Sequence, residues 1–174
     1  MATETTTIEA TLARWKGAVE ARDAGAAASC LAEDARFRSA TTDAYEYTSR
    51  TDIERMEEVM FALFDAVHVD EAIGTGDTRA VRLTILMRGE VVDELKVLRF
   101  GADGLIREIT AYVRPLPALA SIPALAGPAL ARANGNPWVA GMIAASARPI
   151  AAALRSGDRS MAPMTDPARR VSVR

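Results

Sequence analysis

Four short apolar stretches occupy the middle of the chain, each closed by a turn signal: Val67–Ile73, Arg79–Arg88, Val91–Phe100 and Leu105–Arg114. The connections between them are Gly74-Thr-Gly-Asp77, Gly89-Glu90 and Gly101-Ala-Asp-Gly104. Links this short join only antiparallel neighbours, so the pattern predicts a four-stranded meander. Period-two alternation places Val81, Leu83, Ile85 and Met87 on one face of the second strand. Ile109, Ala111 and Val113 share a face of the fourth.

Upstream, the period changes. Ile8, Leu12, Trp15 and Val19 recur at helical spacing after a capping-box pattern, Thr6 with Glu9. A second, alanine-rich helix is expected from Asp23 to Leu31. A short strand follows at Ala35–Ser39 with Phe37 inward, then a polar loop, Thr41–Arg50, bearing Tyr45 and Tyr47. Thr51 with Glu54 reads as another capping box. It opens a helix whose stripe is Ile53, Met56, Met60, Leu63 and Val67, with Glu54, Arg55, Glu57, Glu58 and Asp65 mostly opposite.

After Arg114 the character changes. Pro115, Pro117, Pro123 and Pro128 interrupt an Ala/Leu-rich stretch, which predicts short helices only. Asn136-Pro137 is a helix start signal, with Asn as cap, and that helix is expected to reach about Leu154 with a kink near Pro149. Beyond Ser156 a disordered tail is expected. The division is 5–116 as one α+β domain, 117–155 as a helical extension and 156–174 as tail.

Composition narrows the function. A net charge of -2 gives no reason to expect nucleic acid or an anionic membrane as partner. The cluster Arg169, Arg170 and Arg174 reads as solvated. Cys30 is the sole cysteine, which excludes an intramolecular disulfide, and it reads as a small core residue. Trp138–Leu154, with Arg148 and Pro149 inside it, is expected not to span a membrane. A soluble cytoplasmic protein is expected. No metal-ligand spacing and no phosphate or dinucleotide fingerprint is present, so no metal and no cofactor is expected.

Three phrases, Leu31-Ala-Glu-Asp-Ala-Arg-Phe37, Leu98-Arg-Phe-Gly-Ala-Asp-Gly-Leu-Ile106 and Ile109-Thr-Ala-Tyr-Val-Arg-Pro-Leu116, occur in the right order among matching elements. In this, residues 5–116 resemble the nuclear transport factor 2-like superfamily, which includes ketosteroid isomerases, SnoaL-like polyketide cyclases and limonene-type epoxide hydrolases. The resemblance implies a cone-shaped curved antiparallel sheet on three N-terminal helices, enclosing an apolar pocket.

The superfamily's catalytic carboxylates are missing here. Its isomerases use a tyrosine on the first helix, a base at the end of the first strand and a protonated acid on the third meander strand. Those positions fall on Trp15, Ser39 and Lys96. Serine cannot take a carbon-bound proton unaided. The epoxide-hydrolase positions read Arg82-Leu-Thr84 and Ile109-Thr-Ala111, without the carboxylates that activate water.

The resemblance's register turns Glu94, Lys96, Leu98 and Phe100 inward and Leu95 and Val97 outward. Lys96 then becomes a candidate catalytic ammonium for a developing oxyanion, with Glu94 tuning it or acting as acid/base. Two readings compete with this: a partly solvated ion pair at the rim, and a strand register shifted by one that turns both residues to solvent. Candidate substrate-binding residues are Trp15, Ser39, Tyr45, Tyr47, Met56, Met60 and His68. The methionines suit an adaptable wall. His68 is placed at the junction of the long helix with the meander, in a helix C-terminal role.

Two functions fit. One is a cofactor-free cyclase, isomerase or lyase acting on a hydrophobic small molecule. The other is a non-catalytic ligand-binding or accessory protein. The outward Leu95 and Val97 predict a homodimer under either.

Overall fold

In a computed structural model, residues 2–166 of the 174-residue chain are described, with side chains from Thr7 onward. Two compact units meet at Pro115–Leu116. The first contains α1 (Ala2–Ala21), α2 (Ala24–Ala28), β1 (Leu31–Arg38), α3 (Arg50–Phe61), β2 (Phe64–Ile73), β3 (Thr78–Met87), β4 (Glu90–Phe100) and β5 (Ile106–Arg114). The architecture is α+β: one open five-stranded sheet, ordered β1-β5-β4-β3-β2, with α1 against β2 and α3 against β1.

The meander is antiparallel throughout, as its short links require. Gly74 is needed in the first link. Its φ is +143°, and a Cβ there would lie 2.3 Å from the Thr78 carbonyl oxygen. β1 completes the sheet by pairing parallel to β5, with an irregularity between Leu31 and Arg36. That pairing lengthens β1 over the expected 35–39, and it cuts α2 off at Ala28 instead of Leu31.

The inner face is as the alternation implies. Val81, Leu83, Ile85, Met87, Leu98, Phe100, Ile106 and Ile109 are all buried, together with Trp15 and Val19 of α1. Leu95 and Tyr112 stay exposed on the other face.

Several boundaries differ from expectation. α1 starts at Ala2, so Thr6 marks no terminus; nothing in residues 2–5 breaks a helix, and extending a formed helix costs little. The cap of α3 is Ser49, not Thr51. Its hydroxyl accepts from the Asp52 N–H at 3.1 Å and donates to the Asp52 carboxylate at 2.7 Å. α3 stops at Phe61, so Leu63 and Val67 are not part of its stripe. β2 begins early, at Phe64, because its backbone pairs with Met87 of β3.

The second unit contains α4 (Leu116–Ala133) and α5 (Pro137–Ser160), packed on one another, and a 3-10 turn at Ala162–Thr165. α4 is one continuous helix despite Pro123 and Pro128, where short pieces were expected. Burial of Ala118, Ser121, Ala124 and Ala131 outweighs the hydrogen bonds those prolines remove. Gly127 permits close approach to α5, since a Cβ there would lie 2.8 Å from a methyl of Ile143. α5 starts at Pro137 as expected, but the Asn136 amide donates to the Asn134 carbonyl and does not cap the helix. It contains Pro149 and runs on to Ser160, so residues 156–160 are helical, not tail. Arg169, Arg170 and Arg174 lie outside the described residues. By length and composition alone, α4 and the stretch 137–165 are long and apolar enough to cross a membrane, the second because the helix runs on past Leu154.

Candidate functional site

The centre of the first unit holds charge. Lys96 stands on β4 between Val81 of β3 and Ala111 of β5, and the small Ala111 leaves room beside its stem. It is 6% exposed. Its Nζ lies 3.9 Å from Oε2 of Glu94 and 3.9 Å from Oε1 of Glu57. It also lies 5.7 Å from the ring centres of both Trp15 and Phe37. An ammonium over two aromatic faces is held by their quadrupoles where water is scarce.

Glu57 is the residue that the sequence reading put on the wrong side of α3. It lies four residues after Ile53 and four before Phe61, which places it on the apolar face with both. It is 2% exposed, and neither carboxylate oxygen has a hydrogen-bond partner. Burial is the main cause that pushes its pKa up to about 7, Glu94 and Glu54 add to that, and Lys96 opposes it. The group therefore changes protonation near neutrality. The Trp15 indole N–H, also buried, is likewise without a partner.

The remaining candidates divide into two sets. Met56 is buried next to Glu57, and Met60 is half-buried one turn on. Tyr47 is tied to β1 by paired backbone hydrogen bonds with Phe37, at 2.9 and 3.1 Å. Its ring meets Phe37 edge-on at 6.0 Å and Tyr45 at 5.6 Å. Burial raises the Tyr47 phenol. These rings form a row from the exposed Tyr45 inward to Phe37, under Lys96.

Ser39 and His68 do not join the cluster. The Ser39 hydroxyl is engaged with Thr41, through the backbone N–H at 3.1 Å and the hydroxyl at 2.8 Å. His68 lies in strand β2, not at a helix end, and faces solvent. Its Nδ1 is 3.1 Å from Glu20 and its Nε2 is 3.6 Å from Asp70. The Glu20 carboxyl is held below its ordinary value, chiefly by the Val69 N–H. Cys30 is a buried core residue as expected. Among the described residues, no cluster of His, Cys, Asp and Glu could hold a metal ion.

A separate open groove of about 630 Å³ lies where the end of α1 and the start of α2 face the end of α3. It is lined by Arg22, Asp23, Glu58 and Phe61 among others, and by none of the candidates above.

A family model described as SnoaL-like domain matches residues 12–109. Among solved structures, a steroid delta-isomerase from Pseudomonas aeruginosa is 23% identical, with a TM-score of 0.66 over 72% of this chain and 93% of that one. An uncharacterized protein with a cystatin-like fold from Silicibacter pomeroyi is 20% identical, with a TM-score of 0.62 over 67% and 82%. An NTF2-like protein of unknown function from Cytophaga hutchinsonii is 17% identical, with a TM-score of 0.54 over 64% and 93%. These likenesses establish the fold. No curated protein matches the chain.

Proposed function

The chain belongs to the SnoaL-like domain family, and from that premise we propose that it is a cofactor-free enzyme of the cyclase, isomerase or lyase type. Its substrate is a hydrophobic metabolite bound in an apolar pocket beside Lys96. The observation that carries this reading is the Glu57–Lys96 pair. A buried carboxyl without hydrogen bonds costs stability, and perturbed groups of this kind cluster at functional sites.

The roles follow from the groups present. Glu57 takes or gives a proton near neutral pH, which is the task the sequence had offered to Glu94. Lys96 stabilises negative charge that develops on a substrate oxygen, with the Trp15 N–H as a second donor. Glu94 balances the Lys96 charge. Met56, Met60 and the Tyr45–Tyr47–Phe37 row provide apolar wall. Likeness to a steroid delta-isomerase supports an enolisable carbonyl compound as the substrate class. The acid/base set nonetheless differs from the superfamily's, because the corresponding positions are Trp15, Ser39 and Lys96.

The exposed Leu95 and Tyr112 on the outer sheet face support a homodimer through that face.

Incubation of the protein with a panel of hydrophobic ketones, followed by mass spectrometry, tests the catalytic reading. Turnover of at least one compound is expected. Glu57→Gln and Lys96→Met should abolish it with the fold intact by circular dichroism. Normal turnover in both variants removes the assigned site. Tight binding of a co-purified apolar ligand with no turnover would instead establish the non-catalytic alternative, which the missing superfamily carboxylates favour.

A further inference from the structure

Charge is divided unevenly along the chain. Residues 116–174 contain seven arginines and two aspartates, a net charge of +5, and no lysine or glutamate. Residues 1–115 contain 14 basic and 21 acidic residues, a net charge of -7. The overall value of -2 hides this asymmetry, which by itself points to an anionic partner for the second unit.

α5 adds an apolar face. Trp138 is 73% exposed, Ile150 59% and Met161 66%, with Met142 also exposed. In the stretch 137–165, only 11% of the most apolar 18-residue window is buried. At 100° per residue, Trp138, Met142 and Ile150, with Met161 at the cap just past the helix, fall within an arc of about 140°. Arg148, Arg155 and Arg159 fall within about 40° of one another, roughly 150° from the middle of the apolar arc. Ala140 and Ala151, the buried seam toward α4, lie on the arginine side. Arg155 reaches across it to the Ser121 hydroxyl at 2.8 Å. Arg148 and Arg159 make no ion pair among the described residues.

We propose that α5 lies flat on an anionic lipid surface, with Trp138, Met142, Ile150 and Met161 entering the acyl boundary and Arg148 and Arg159, on the polar face, attracted to the anionic headgroups. This departs from the expectation of no membrane partner. Three observations select lipid. A helix of this length with an aromatic-aliphatic face and arginines on its opposite, polar face matches the interface of a bilayer. Trp138, near the start of α5, has the amphipathic ring that settles at headgroup level. Exposed Met and Ile have nothing to recognise on a nucleic-acid backbone, and pairing with a second copy would bring together two units that each have a net charge of +5. Spanning is disfavoured because Arg148 sits exposed at mid-helix, where the bilayer centre would have to accept it.

Sedimentation of the full chain with vesicles tests this. Phosphatidylcholine vesicles containing phosphatidylglycerol should bind the protein, pure phosphatidylcholine should bind it far less, and added salt should release it. Trp138 emission should move to the blue and become shielded from an aqueous quencher, while the buried Trp15 contributes a constant background. Arg148→Gln combined with Arg159→Gln should weaken binding roughly ten- to thirty-fold. Trp138→Ala should abolish the emission change; circular dichroism establishes that the variants fold. Failure to bind phosphatidylglycerol vesicles overturns the proposal, as does binding indifferent to salt and to both arginines. Shielding of Trp138 without lipid, in a particle of doubled mass by light scattering, assigns the face to a second copy and also overturns it.

Discussion

Nζ of Lys96 and Oε1 of Glu57 lie 3.9 Å apart in the interior of the first unit, one from β4 and one from α3, and no hydrogen bond satisfies the carboxylate. The distance is long for a structural salt bridge that would repay burial of both charges, because attraction in a dry interior offsets desolvation only when geometry is close and hydrogen bonds complete it. The pair is therefore a poor device for stability. It is well suited to exchange a proton, since small changes in its surroundings decide the charge on Glu57.

Stability should depend on pH through Glu57. Its folded pKa, about 7, is raised from an ordinary 4.5, so between those values the folded state binds the proton more tightly than the unfolded state. Its contribution is fully present below about pH 4.5 and is lost as pH rises through 7, a change on the order of 3 kcal/mol. Denaturant titrations across that window should show wild-type stability falling relative to Glu57→Gln, whose side chain does not titrate. Parallel curves for the two proteins would contradict the assignment.

Removing the ammonium should move Glu57 further. Lys96 opposes the upward shift, so Lys96→Met should raise the carboxyl's titration midpoint further. Carbon-13 NMR of labelled glutamate side chains measures this directly, without a substrate. An unmoved midpoint would mean that the two groups are not coupled.

The cap of α3 offers a local check. Ser49→Ala should cost about 1 kcal/mol, because an orphan N–H at Asp52 loses its partner. Thr51→Ala, inside the helix and exposed, should change stability by only a few tenths of that. Thermal melts of the two variants should differ by several degrees.

The outer sheet face gives the fourth expectation. Leu95→Glu should convert a dimer to a monomer at micromolar concentration, by light scattering, because a charge would be buried opposite its own copy. A wild-type protein that is already monomeric would remove the dimer proposal.

Alternation and turn residues were enough to specify the meander, since two-residue periodicity and short Gly-containing links leave antiparallel neighbours as the only solution. The inward direction of Lys96 came from carrying the resemblance's register onto β4, and the strand keeps it. Glu57 shares the face of Ile53 and Phe61 by spacing, yet a glutamate amid other glutamates is ordinarily solvent-facing, so composition and spacing conflict at that position. Ser49 was passed over because Thr51 with Glu54 also fits the capping pattern, and local sequence does not rank two candidate caps two residues apart.

By itself, then, the chain determined its α+β class, the faces of its strands and the residues that had to be buried, because those follow from local periodicity and the need to hide apolar surface. Tertiary structure alone decided which charged groups share the interior. The approach of α3 to β4 depends on how helices settle on a sheet, not on any neighbour in sequence. That approach buries Glu57 beside Lys96, 39 positions away in sequence, and it is the burial that raises the carboxyl toward neutrality.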